Sequence, residues 1–400
     1  MSGTRRKPGR MGPHIGGFEA WLLALGYTPG TVRGELKIAG GLGWWLAVED
    51  IDVSLVTTAV IERFRLACRD RGRRQVPSVR SFAPLLRYLT SVGVLVAEPP
   101  APLTAVGQLV ADYAGWLVGE RGLAPATVLR YENLARRFLE QRAAVSGRSF
   151  VEDLAGTDVV AFLVAETGRV SVGAAKGRVA ELRSLLKFLY LKGHTVRALA
   201  TAVPPVAGWH DTTLPVGLAR SDVNRLLAGC DRSSSDGIRD YAILMLVARL
   251  GLRSIEVARL ELGDLDWRAG EMVVRGKARR RDRLPLPCDV GEALSAYLCD
   301  ARPVTTIREV FLAVKAPRRA IRADLVSDVT RRACERVGVP RVGAHRLRHA
   351  LATEMLRQGA TLVEVSQVLR HRDLATTAIY AKVDLGTLRG VVQPWPGASR

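Results

Sequence analysis

His345-Arg-Leu-Arg348-His349, a helical run, Leu369-Arg-His371 and then Thr376-Thr-Ala-Ile-Tyr380 form the stretch on which the reading of this chain turns. It holds three of the six histidines, with an arginine three places after the first and a tyrosine nine places after the last. Taken singly, each residue is ordinary: a surface arginine is solvated, a lone histidine is structural, and a tyrosine before Ala-Lys packs a helix edge. Together they make a chemical set. A phenol with an ordinary pKa of about 10 is a poor nucleophile at neutral pH unless a neighbour takes its proton, and histidine can do so. A phosphodiester under attack gathers charge on its non-bridging oxygens, which arginine's planar fork meets with two parallel hydrogen bonds. Such chemistry requires a second arginine, and a proton donor for the leaving oxygen, elsewhere in the chain.

Both occur upstream, in Gly251-Leu-Arg253-Ser-Ile-Glu256 and in Arg275-Gly-Lys277-Ala-Arg-Arg-Arg-Asp-Arg283-Leu-Pro-Leu-Pro287. The order Gly-Leu-Arg-x-x-Glu, Gly-Lys in a basic hairpin, His-x-Leu-Arg-His, Leu-x-His and Thr-Thr-x-x-Tyr resembles the tyrosine recombinases, the phage-type integrases and Xer-like resolvases. The resemblance runs from about Leu218 to Asp384, and five separated motifs recurring in order make it specific. One position departs from it: Arg370 stands where the family usually has glycine.

The resemblance implies a site-specific recombinase in which Tyr380 attacks a scissile phosphate, forming a 3′-phosphotyrosyl bond and freeing a 5′-hydroxyl. Arg253 and Arg348 would hold the non-bridging oxygens, His371 would add a hydrogen bond, His345 would take the phenolic proton, and Lys277 would protonate the leaving oxygen. No cofactor is implied, and the chain has no Walker motif. The implied partners are duplex recombination sites and three further copies of the chain, in a tetramer assembled on DNA. The target sequence, the choice among integration, excision and resolution, and any accessory or directionality protein stay open. Two other activities stay open on the residues alone: strand relaxation in the manner of a type IB topoisomerase, and DNA-binding regulation without catalysis.

Composition agrees with a polyanionic partner. Of 400 residues, 59 are Lys or Arg against 39 Asp or Glu, a net charge of +20, which suits nucleic acid, although arginine bias can also follow from GC-rich coding. The five cysteines are odd in number and widely spaced, without a Cys-x-x-Cys pair, and are expected to be free thiols in a reducing cytoplasm. The apolar run Tyr241 to Ala248 is far short of the ~20 residues of a membrane span and is expected to be a buried helix.

The first half carries a duplication. Phe18, Trp21, Leu22 and Leu25 recur at helical spacing before Gly26-Tyr-Thr-Pro29-Gly-Thr31-Val32. Leu109, Tyr113, Trp116 and Leu117 repeat the face, and Gly122-Leu-Ala-Pro125-Ala-Thr127-Val128 repeats the turn, 96 residues on. The segments starting at Val79 and Val179 likewise match. The expected fold is therefore mainly α with a small antiparallel β-sheet: a flexible basic arm (1–15), a first helical bundle (16–97), a second (103–197), a linker (198–216), a catalytic domain (217–386) and a C-terminal tail (387–400). The second bundle resembles the family's core-binding domain, with Arg130, Arg136, Arg137, Lys176, Arg183 and Lys187 as phosphate contacts, joined by Arg279, Arg280 and Arg281 of the basic hairpin loop. The first bundle goes beyond the family's minimal plan; its basic loop, Arg69 to Arg74, suits DNA outside the core site, and protein contacts within the assembly suit it equally.

Within the catalytic region, Glu271–Arg275 and Arg283 onward read as a hairpin, and Phe311–Val314 as a third strand. Gly359 ends the helix bearing Arg348, and Thr361 with Glu364 forms a capping box for the next. The tail packs either in cis or on a neighbouring copy.

Overall fold

The computed structural model describes residues 8–72, 75–96, 103–146, 150–168, 170–206, 218–276 and 280–371. The chain divides into two compact units, one of Glu98–His210 and one of Met1–Ala97 with Asp211–Arg400. It is mainly helical with one three-stranded antiparallel sheet.

The first four helices are α1 (Gly12–Ala24), α2 (Pro29–Val48), α3 (Thr58–Asp70) and α4 (Ala83–Ser91). Pro29 opens α2 because its fixed φ suits a first turn and its missing N–H would have no helical acceptor there. Thr28 caps the same turn, its Oγ1 accepting from the Thr31 N–H at 3.3 Å. Phe18, Leu22, Leu42, Leu46 and Leu89 are fully buried between these helices, each worth about 1.5–3 kcal/mol as apolar surface removed from water. Packing begins earlier than the sequence suggests. Pro8 onward is already folded: Met11 is fully buried, Arg10 pairs with Asp50, and the bundle starts there and not at Gly16. The expected free arm is thus corrected for residues 8–15, because Met11 supplies an apolar side chain that the core takes up.

The second unit repeats the plan with α5 (Ala105–Gly119), α6 (Pro125–Ser146), α7 (Gly156–Thr167) and α8 (Val172–Leu191). The duplication extends to side-chain packing. Phe18, Trp21 and Tyr88 form a ring cluster with centroids 5.4–6.3 Å apart. Tyr113, Trp116 and Phe188 form its counterpart at 5.1–6.1 Å, spacings at which offset and tilted rings attract.

The rest of the first unit comprises α9 (Arg220–Ala228), α10 (Ser235–Leu250), α11 (Ser254–Ala258), β1 (Leu265–Asp266), β2 (Glu271–Arg275), β3 (Arg281–Pro285), α12 (Cys288–Ala296), α13 (Ala323–Arg336), α14 (Ala344–Arg357) and α15 (Leu362–Leu369). Helix α10 is the central element. Ala242 to Val247 are each at most 2% exposed, as a helix that is apolar all round must be, and α12, α13 and α14 pack against it. Sheet order is β1-β2-β3, with Val273 opposite Arg283 and Arg275 opposite Arg281. The third strand is therefore Leu265–Asp266 and not Phe311–Val314. That apolar run makes only a single bridge, Leu312 to Ala320. Phe311 and Leu312 are instead buried beside Tyr297, whose hydroxyl accepts from the Leu312 N–H at 3.1 Å. Within this unit the Arg318 N–H also donates to the Leu25 carbonyl at 2.8 Å. All five cysteines are free thiols, Cys68, Cys230 and Cys334 being buried. Among the described residues no helix is long and apolar enough to cross a membrane.

Candidate active site

Helix α10 ends at Gly251 in a left-handed conformation (φ 59°), where a side chain would put its Cβ 2.8 Å from Leu369 Cδ2. The chain then leaves the core through Arg253, which sits immediately before α11. Glu256 fixes this turn: its carboxylate accepts the Arg253 backbone N–H at 2.9 Å and the Arg253 Nη1–H at 2.7 Å. The glutamate is 3% exposed, so the pair is no surface ornament. Burial alone would raise its pKa, but Arg370 and the Arg253 hydrogen bonds outweigh that and hold the carboxyl below its ordinary value.

Helix α14 supplies three residues on one face. Arg348 is 2% exposed, and its two terminal nitrogens donate to the carbonyl oxygens of Gly251 and Leu369. Those bonds stitch the end of α10 to the end of α15 and hold the guanidinium in a fixed plane. One turn before and alongside, the His345 and His349 rings meet edge to face with centroids 4.1 Å apart. Helix α15 begins with the expected capping box, in which the Thr361 N–H donates to Glu364 at 2.7 Å and the Glu364 N–H to Thr361 at 3.2 Å. It ends at Arg370, whose φ of 55° turns the chain back so that the His371 N–H reaches the Ser366 carbonyl at 3.0 Å.

Electrostatics keep the histidines neutral. Loss of hydration, then the positive charges of Arg348 and Arg253, push His371 down to about 4. Burial and the neighbouring His345, Arg346 and Arg348 push His349 down to about 4. His345 is likewise held below its ordinary value, first by loss of hydration and then by Arg348, Arg253 and Arg346. At neutral pH each ring can therefore accept a proton at one nitrogen and donate at the other.

Four predicted residues, Arg253, His345, Arg348 and His371, are thus brought together where α10 and α15 end and α14 begins. Lys277, Arg279 and Tyr380 lie outside the described residues, as do the tail 387–400 and Arg73 and Arg74. The sequence did not single out Arg370 as part of the site. Its side chain is 4% exposed and its Nη2 lies 2.8 Å from Glu256 Oε2. The one signal was its place between Leu369 and His371, where a left-handed turn favours glycine.

The predicted phosphate contacts divide. Arg130 pairs with buried Glu181 at 2.7 Å, Arg137 grips Glu166 through Nε at 3.1 Å and Nη2 at 2.7 Å, and Arg183 donates to the Val203 carbonyl at 2.8 Å. Arg280 pairs with Asp282 at 2.6 Å. Arg136, Lys187 and Arg281 are exposed, and Lys176 is half-buried.

Residues 217–386 match the Phage integrase family. The Sinorhizobium fredii protein y4rA, named as an integrase/recombinase, is 39% identical over 403 residues, which cover 99% of this chain and 97% of that protein. The tyrosine recombinase XerD of Mycobacterium tuberculosis H37Rv is 32% identical over 311 residues, 72% of this chain and 95% of its own. The fold is shared with the XerH site-specific recombinase in a post-cleavage complex with its palindromic difH substrate, at a TM-score of 0.56 and 20% identity over 82% of this chain and 93% of that one. The chain belongs to the phage integrase family of tyrosine recombinases. Its activity is that of the class, site-specific breakage and rejoining of DNA strands.

Proposed function

We propose that Tyr380 is the nucleophile, that Arg253 and Arg348 bind the scissile phosphate, and that His371 donates a hydrogen bond to it. His345, neutral at physiological pH, takes the phenolic proton, and Lys277 returns one to the 5′-oxygen as it leaves. The partner strand's 5′-hydroxyl then attacks the phosphotyrosyl bond and reseals the backbone, so the bond's energy is kept. The observation that carries this assignment is the convergence of two arginines and two neutral histidines at one seam, with Arg348 preorganised by backbone carbonyls.

The partner is double-stranded DNA carrying the recombination site. Because each strand exchange uses two active copies and each product two exchanges, the working assembly is a homo-tetramer on two sites. Residues 103–197 grip one side of the duplex, with exposed Arg136 and Lys187 as backbone contacts. Residues 16–97 make a further contact, to flanking DNA or to a neighbouring copy. The setting is the bacterial cytoplasm, at the nucleoid.

The test is recombination between two cognate sites on a plasmid by the wild-type chain and by Arg348→Lys. Lysine keeps the charge but loses the fork, so the variant is expected to recombine at least about 100-fold more slowly. Recombination at the wild-type rate would refute the phosphate assignment, and relaxation of plasmids lacking a site would point to a topoisomerase.

A further inference from the structure

We infer that Arg370 is a positioning residue for strand cleavage: through buried Glu256 it locks the turn that carries His371 to the turn that carries Arg253, so that both groups address the phosphate as one unit. The inference rests on the catalytic assignment above and adds to it a residue whose side chain is buried against Glu256.

The first observation is conformational. Arg370 has φ 55° and ψ 46° at the end of α15, a left-handed conformation in which a Cβ crowds its own carbonyl. Among the described residues Asp50 is the other non-glycine with positive φ. Glycine would meet the backbone requirement without strain, so the arginine side chain must return something that glycine cannot.

The second observation is where that side chain goes. It turns inward: Nη2 lies 2.8 Å from Glu256 Oε2, Nη1 donates to the Val368 carbonyl at 3.1 Å, and the two charged side chains are 4% and 2% exposed. A buried charge is tolerated only when paired, so each depends on the other. The same carboxylate holds Arg253 by its backbone N–H and by Nη1, and Arg253 Nη2 in turn reaches the Arg370 carbonyl at 3.3 Å. The contacts close a ring: the Arg370 guanidinium to Glu256, Glu256 to Arg253, and Arg253 back to the Arg370 backbone. His371 is the next residue in the chain, and the Arg370 charge is among those that disfavour its protonation.

Cutting the ring at Arg370 should therefore misplace two phosphate ligands while leaving DNA affinity intact. Glycine is the discriminating replacement because it suits the left-handed turn and removes only the side chain. The experiment uses the full chain in single-turnover cleavage of nicked suicide DNA bearing its recombination site, with DNA binding measured in parallel. Arg370→Gly is expected to cleave at least about tenfold more slowly with Kd within about twofold of wild type, and Arg370→Lys, which keeps a cation for Glu256, to recover part of the loss. In a Glu256→Gln background the Arg370→Gly change should cost little further, as expected of residues acting through one contact. A second readout needs no cleavage: histidine-selective NMR titration of the free protein should find the His371 pKa higher in Arg370→Gly than in wild type, and closer to wild type in Arg370→Lys. Cleavage by Arg370→Gly within twofold of wild type, multiplicative losses in the double variant, or an unmoved His371 titration would each overturn the assignment. Wild-type protein that binds its site but forms no covalent adduct would instead sink the catalytic reading itself, and this inference with it.

Discussion

Acidification should loosen α14 before it affects most of the molecule. In the unfolded chain a histidine binds its proton from about pH 6.5 downward. In the folded chain His349, 9% exposed against the His345 ring, does not do so until about 4. Between those values the unfolded state carries the extra proton, so stability is fully present above 6.5 and falls as the pH falls toward 4. The slope approaches about 1.4 kcal/mol per pH unit for one histidine once the unfolded ring is fully protonated, so lowering the pH from 6.5 to 5 should cost about 1.5 kcal/mol through His349 alone. His371 acts in the same direction and window, its pKa also pushed down to about 4. The assay is amide hydrogen exchange of residues 344–357 in the full chain, corrected for the intrinsic pH dependence and compared between wild type and His349→Gln. The substitution lowers stability at all pH values, so the comparison lies in the slope: the variant should lose about 1.5 kcal/mol less than wild type between pH 6.5 and 5. Equal slopes would refute the claim that His349 is buried in its neutral form.

Two packing predictions complement it. Gly251→Ala puts a Cβ 2.8 Å from Leu369 Cδ2 in a left-handed turn, and should lower stability by about 1–2 kcal/mol from the backbone conformation alone, measured by urea unfolding, while slowing cleavage because the Gly251 carbonyl helps hold Arg348. Leu246→Ala removes a fully buried side chain from the centre of α10 and should cost about 2–5 kcal/mol in the same unfolding assay, whereas Val304→Ala, at 99% exposed, should stay within about 0.5 kcal/mol of wild type.

Much of this architecture was written locally in the chain. The turn at Pro29 and its copy at Pro125 announced the duplicated bundles because proline and a following threonine carry their conformational meaning with them, and the paired ring clusters are the same repeat seen in packing. Arg253, His345, Arg348 and His371 could be grouped in the sequence as one chemical set, and the fold brings them to one seam. What the sequence hid depended on distant partners. Phe311 to Val314 is apolar enough to read as a strand, yet only Phe311 and Leu312 are buried, beside Tyr297, while Val314 is exposed and the backbone finds one bridge. Nothing in the local pattern reveals that Arg130 and Arg137 pair with Glu181 and Glu166 across the bundle. Arg370 was hidden for the same reason: its role depends on Glu256, 114 positions earlier.

The central claim is that Tyr380 carries the strand in a covalent bond. The direct measurement is denaturing electrophoresis of the wild-type chain after incubation with nicked DNA containing its recombination site, followed by peptide mapping of the adduct. A denaturant-resistant protein-DNA species joined through Tyr380 to a 3′-phosphate, absent from Tyr380→Phe, is the expected result. An adduct that persists in Tyr380→Phe, or no adduct on DNA that the protein binds specifically, would contradict it.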